Sequence, residues 1–115
     1  MKKRDILFLN SNGICHYCGN SIEINTFHVD HVIPKALGGS SCLNNYAASC
    51  KHCNTAKGGM SIDDFRLHIS LKKSKYSGII NLKQYKKLRA IGDLSDIQLV
   101  KFNFEKKIIG GKNEI

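Results

Sequence analysis

Four of the five cysteines fall into two C-x-x-C pairs, Cys15 with Cys18 and Cys50 with Cys53, and no other feature restricts the fold of this 115-residue chain as strongly. Each pair can present two sulfurs from one tight turn whose backbone amides point at them, and two such knuckles complete a tetrahedron of thiolates around zinc. A closed tetrahedron leaves no open position, so the ion's part is structural: it ties together the two ends of residues 19–49. Structural zinc in small modules supplies on the order of 10 kcal/mol, enough to offset a thin core. Two matched pairs argue against a redox C-x-x-C. His16 and His52 lie inside the knuckles as substitute ligands for which four thiols leave no place, and Cys42 reads as an ordinary loop or core residue.

A chain of this length supports one domain with a modest core, so catalysis, binding and stability are expected to share residues 1–115. The opening KKRDILFLNSNG reads as a short helix or an extended lead-in before an Asn-Gly turn. From Thr26 to Ile33, Phe27 and Val29 alternate with polar His28, Asp30 and His31, which predicts a strand ended by Pro34. A long loop with Gly38-Gly39 and Asn44-Asn45 follows, and Tyr46-Ala47-Ala48 predicts a second short strand. A helix is expected after Cys50 until Gly58-Gly59, and a second over DDFRLHISLKK behind Ser61, with an acid three residues on. Leu94, Ile97, Val100, Phe104 and Ile108 recur every three to four residues and predict a helix over 93–109, stopped by Gly110-Gly111.

The formal charge of +9 favours a polyanionic partner. Residues 71 to 112 hold eleven of the eighteen Lys and Arg against Asp93, Asp96 and Glu105, which makes the basic extension at about 67–115 a candidate phosphate-contacting surface. An ordinary solvated helix face would look the same at any single lysine. No apolar run approaches the roughly 18 residues of a membrane span, and the N-terminus has too short an apolar stretch for a secretory signal. A cytoplasmic protein without membrane contact is therefore expected, in a reducing compartment where thiols bind metal.

Between and just after the knuckles stand His28-Val29-Asp30-His31, Asn45, and Cys50-Lys51-His52-Cys53-Asn54-Thr55-Ala56-Lys57-Gly58. An Asp-His dipeptide alone means little. In the order C-x-x-C, D-H, N, C-x-x-C-N-x-x-K-G, these residues resemble the HNH endonucleases, in the zinc-knuckle branch of the ββα-metal nucleases, over roughly residues 13 to 66. The resemblance implies an α+β fold: a small ββα-metal core stapled by a four-cysteine zinc site, here with additional C-terminal helices. It implies an endonuclease acting on DNA. It further implies that Asp30 and Asn54 hold a divalent ion while His31 faces the scissile phosphate, and that Asn45 orients the loop or the histidine through hydrogen bonds.

Phosphodiester hydrolysis needs an activated water, charge neutralisation at phosphorus and help for the departing oxygen. A neutral imidazole with a reference pKa of about 6.5 can take the water's proton, which assigns His31 as general base. Oxygen donors from Asp30 and Asn54 suit Mg²⁺ or Mn²⁺. Where other branches end the motif in histidine this chain has Asn54, which points toward Mg²⁺. One objection stands: neighbours in a strand point to opposite faces, which separates Asp30 from His31. His28 is open between a third ligand, a phosphate contact and an exposed strand residue. Lys51 and Lys57 are candidate phosphate contacts. No small-molecule cofactor is expected, and the oligomeric state stays open. The rival readings are a non-catalytic zinc-stabilised nucleic-acid-binding module and a ribonuclease with the same site.

Overall fold

The computed structural model describes residues 1–92, 94 and 96–106. It divides into two compact units: one comprises Met1–Ile62 with residues 101–106, the other lies within Asp63–Val100.

The first unit is built on a two-stranded antiparallel sheet, β1 (His28–His31) with β2 (Tyr46–Ser49), in the register His28↔Ser49, Val29↔Ala48, Asp30↔Ala47 and His31↔Tyr46. The strand expected from Thr26 is shorter because the amides of Thr26 and Phe27 turn back to the Glu23 carbonyl. Beyond His31, the Val32 amide bonds to the Asn45 carbonyl, where the chain leaves the ladder. Two strands alone are marginal in water, so both faces need cover. One face receives α1 (Lys3–Ser11), which settles the lead-in as a helix closed by Asn12 in the left-handed conformation. Its Leu7 joins Phe27 and Ala48 in the core, with Phe8, Ile22, Val29, Leu43 and Tyr46 around them. The Arg4 guanidinium lies 4.0 Å over the Phe27 ring. The other face receives α2 (Lys51–Lys57), capped by Cys50, whose sulfur accepts from the Cys53 amide.

The loop between the strands, with 3₁₀ turns at Lys35–Leu37 and Leu43–Asn45, folds back on Ile33. A Cβ at Gly39 would stand 1.7 Å from the Ile33 carbonyl oxygen, so only glycine fits there. The first knuckle is a tight hairpin in which the Cys15 amide donates to the Asn20 carbonyl and the His16 amide hooks onto the Ala48 carbonyl of β2. Residues 102–104 return to it: the Asn103 and Phe104 amides donate to the carbonyls of Tyr17 and His16, and the Phe104 ring stacks on His16 at 4.4 Å.

Within the described part of the helix expected over 93–109, the chain makes that return instead of one continuous helix. Residues 96–102 are irregular and only 103–106 are helical; Asp93, Ile108 and Gly110-Gly111 lie outside the described residues. Of that apolar stripe, Phe104 packs its ring against His16 and Tyr17. The Val100 amide donates to Ser70 Oγ and the Phe102 amide to Glu105, while Phe102, outside the expected stripe, is the buried ring and Leu99 is 52% exposed.

The second unit holds α3 (Ile62–Lys72) and α4 (Leu82–Ala90), with Phe65, Leu71 and Tyr85 buried. The start of α4 is fixed by a reciprocal cap: the Asn81 side chain accepts from the Gln84 amide and the Gln84 side chain from the Asn81 amide, both at 2.8 Å. No helix among the described residues is long and apolar enough to cross a membrane.

Candidate active site

The knuckles converge as their spacing predicts. One ligand atom each from Cys15, Cys18, Cys50 and Cys53 lies within 4.8 Å of the others, and Cys18 Sγ is 3.8 Å from Cys50 Sγ. At a Zn–S distance of about 2.3 Å, the edge of a sulfur tetrahedron is about 3.8 Å, so the group fits a tetrahedral zinc ion. Backbone amides already face the sulfurs: Cys50 N lies 3.4 Å from Cys15 Sγ and Asn20 N 3.5 Å from Cys18 Sγ. The thiols do not titrate alike. The Cys53 thiol, then nearby amides, holds Cys15 well below the usual range, while the bond to Cys15 and burial push Cys53 up. Cys18 is pushed up, first by burial. Four such groups cannot all ionise unless a cation lies among them. Cys42 is exposed and outside the cluster, His52 is exposed, and His16 spends its ring on Phe104.

The second knuckle starts α2, and α2 carries Asn54 and Lys57 one turn apart on the side facing β1. Across from them stand His28 and Asp30, two residues apart on one face of the strand. Asn54 Nδ2 lies 3.4 Å from His28 Nδ1. Lys57 Nζ is 3.2 Å from Asp30 Oδ2 and 3.5 Å from Oδ1, and donates to the His31 carbonyl at 2.9 Å. The Tyr17 hydroxyl donates to Asp30 Oδ2 at 2.5 Å. Burial first, then Asp30, pushes the Tyr17 phenol far above its ordinary value, which keeps it a donor.

This geometry corrects one expectation. Lys57 is 1% exposed, with its ammonium spent on Asp30 and a carbonyl, and it does not reach outward to a phosphate. A lone buried ammonium costs far more than a paired one, so the carboxylate across the sheet captures it. Lys51, at the start of the same helix, is exposed.

The pleat separates the Asp-His pair as the strand geometry requires. His31 lies on the face of Val29, with its ring edge-on to its cross-strand partner Tyr46 at 5.0 Å, away from Asp30 and α2. Its Nε2 is covered and has no hydrogen-bond partner among the described residues. Asn45, also buried, pins the following loop: Oδ1 accepts from Ile33 N at 2.9 Å, and Nδ2 donates to the carbonyls of Ile33 and Ser40.

For a divalent ion, the face toward α2 offers an amide, an imidazole and a carboxylate. Asp30 Oδ2 accepts from Tyr17 and lies at ion-pair distance from Lys57, while Oδ1 accepts only the 3.5 Å hydrogen bond from Lys57 and keeps acceptor capacity. The donor types suit an ion that accepts oxygen and retains water. Sequence reasoning did not find Tyr17: an aromatic inside a knuckle reads as packing, and only the fold places its hydroxyl against Asp30.

Residues 15–70 match a family model described as HNH endonuclease. The CRISPR-associated endonuclease Cas9 of Corynebacterium diphtheriae is 38% identical over 45 residues, which make up 38% of this chain and 4% of that protein. The crystal structure of the Type II-C Cas9 enzyme from Actinomyces naeslundii shares the fold at a TM-score of 0.54 and 23% identity, over 97% of this chain and 10% of that one. This chain thus spans a small fraction of the length of both relatives. With the knuckles, the paired strands, the helix that follows them and the family match all falling in one segment, residues 15–70 belong to the HNH endonuclease family.

Proposed function

We propose that the chain acts as a metal-dependent endonuclease that hydrolyses phosphodiester bonds in DNA, with His31 as general base. The observation that carries this reading is the His31 imidazole at the end of β1, with an Nε2 that no described residue satisfies. An imidazole nitrogen that the fold leaves unsatisfied has a position for the water's proton once substrate binding uncovers it. Asp30 and Asn54, with His28 beside Asn54, would hold Mg²⁺ or Mn²⁺, which supplies charge neutralisation at the phosphate and the leaving oxygen. Zinc in the four-cysteine cluster would fix the start of α2, and through it Asn54, relative to β1. Asn45 would keep the His31–Ile33 turn in shape, and Lys51 would meet the DNA backbone.

The choice of DNA is supported by the family's association with it and by the charge of +9. In the second unit, Lys72, Lys73, Lys83 and Lys87 stand at the surface, and no ion pair among the described residues engages them. We read the whole chain as one nuclease with a basic helical extension, working in the reducing cytoplasm.

The test is cleavage of supercoiled plasmid by wild type and His31→Ala, each with EDTA, Mg²⁺ or Mn²⁺. Metal-dependent nicking or linearisation by wild type alone is expected, with DNA affinity in EDTA equal for both proteins. Binding without cleavage under every condition would favour the non-catalytic module, and cleavage of RNA alone the ribonuclease.

A further inference from the structure

Tyr17 lies between two of the zinc-cluster cysteines, yet its side chain serves another site. The ring is 2% exposed and edge-on to Phe102 at 5.3 Å, and its hydroxyl reaches across the first unit to Asp30 Oδ2 at 2.5 Å. Lys57 Nζ approaches the same oxygen at 3.2 Å. An ammonium on a four-carbon stem holds a carboxylate as a point charge and leaves its rotation soft. A phenol on a packed ring adds a direction, because its oxygen is fixed by two torsions and by the neighbours of the ring. Oδ2 accepts the short bond from Tyr17, while Oδ1 accepts the long bond from Lys57 at 3.5 Å, so the carboxylate plane is set and Oδ1 keeps a lone pair open.

We infer that Tyr17 is a positioning residue for the divalent-ion site: its hydroxyl orients Asp30 so that Oδ1 is the oxygen offered to the ion, which couples the zinc clamp to that site. The inference rests on the proposed reading of Asp30 as an ion ligand. The path is short. The first knuckle places the Tyr17 ring, the ring places the hydroxyl, and the hydroxyl sets one oxygen of Asp30. Offering one carboxylate oxygen favours a small ion with strict octahedral geometry over a larger one that takes both.

The test compares Tyr17→Phe with Phe102→Leu in the zinc-loaded chain. Tyr17→Phe keeps the ring and removes the hydroxyl; Phe102→Leu loosens the ring's packing and keeps the hydroxyl. Mn²⁺ affinity is measured by electron paramagnetic resonance, zinc content by native mass spectrometry and melting by circular dichroism. For Tyr17→Phe, zinc stays stoichiometric, the chain remains folded, and the Mn²⁺ dissociation constant rises about tenfold or more, the range seen when a group that orients a metal ligand is removed. The Mg²⁺ concentration giving half-maximal cleavage rises in parallel, while the rate at saturating metal falls far less. Phe102→Leu lowers the melting temperature and weakens Mn²⁺ binding by clearly less than Tyr17→Phe does.

The inference is overturned if Tyr17→Phe binds Mn²⁺ as wild type does, if both variants weaken binding equally, or if Tyr17→Phe loses zinc or fails to fold. Failure of the nuclease reading looks different. Wild type would then bind Mn²⁺ without cutting any substrate, and the resonance measurement would still decide the role of Tyr17. If wild type binds no Mn²⁺, Asp30 is not a ligand and the inference falls.

Discussion

The two faces of the β1–β2 sheet are built on opposite principles. Toward α1, Leu7, Phe27 and Ala48 bury apolar surface, with the Arg4 guanidinium laid over the Phe27 ring at its edge. Toward α2, the same two strands bury Asp30, Ser49 and the ammonium of Lys57. A fold seeking stability alone would treat both faces like the first, because a buried ion pair seldom outperforms well-packed apolar side chains. The difference teaches where this small unit accepts buried charge: on the face from which α2 leads to the four-cysteine cluster, while His31 stands on the apolar side.

The clamp is the first thing to break. Cys50→Ser removes one zinc thiolate and the sulfur that caps α2, and structural zinc supplies on the order of 10 kcal/mol. The cooperative melting transition should vanish along with bound zinc. A zinc-loaded variant melting like wild type would show that the face toward α2 stands without its clamp.

The next test sets one face against the other. Lys57→Met leaves Asp30 buried with only Tyr17 as partner and should cost about 3–5 kcal/mol, as removing one member of a buried pair does. Leu7→Ala on the apolar face should cost about 2–5 kcal/mol by cavity formation. The contrast sharpens in the double variant Asp30→Leu with Lys57→Met. It should regain most of the lost stability by chemical denaturation while Mn²⁺ binding is abolished. No regain would mean that the charges also specify the fold.

The smallest effect belongs to the loop beyond β1. Asn45→Ala strands the Ile33 amide and two carbonyls, and should cost about 1–3 kcal/mol in chemical denaturation, with zinc content unchanged. A loss as large as that of Lys57→Met would place Asn45 in the core of the fold rather than at its margin.

The features legible in the sequence are those that local spacing writes down. Two C-x-x-C pairs imply a metal cluster whatever lies between them, and β-branched alternation around Val29 implies a strand. Lys57 misleads because the motif fixes its place three residues after Asn54 but says nothing of depth; its partner Asp30 is distant in sequence, and burial alone decides which way the ammonium turns. The stripe from Leu94 to Ile108 misleads for a related reason. Apolar residues three to four apart are a helical signal only if the backbone amides have no better partners, and those of Val100, Asn103 and Phe104 have them in Ser70, Tyr17 and His16. The start of α4 is written in Asn81 and Gln84, a capping pair that carries no apolar period to draw attention to it. The lead-in stays undecided in sequence because a nine-residue helix is too short to declare itself without the sheet it covers.

The return of residues 102–104 to the first knuckle bears on the order in which the molecule can assemble. A ribosome delivers both knuckles and both strands well before it delivers Phe102, Asn103 and Phe104. Until then the His16 and Tyr17 carbonyls lack the amides that satisfy them, and the Tyr17 ring lacks one of its walls. The stretch by which the family is recognised is therefore shorter than the stretch that completes the first knuckle, and a fragment trimmed to residues 15–70 is expected to melt well below the full chain.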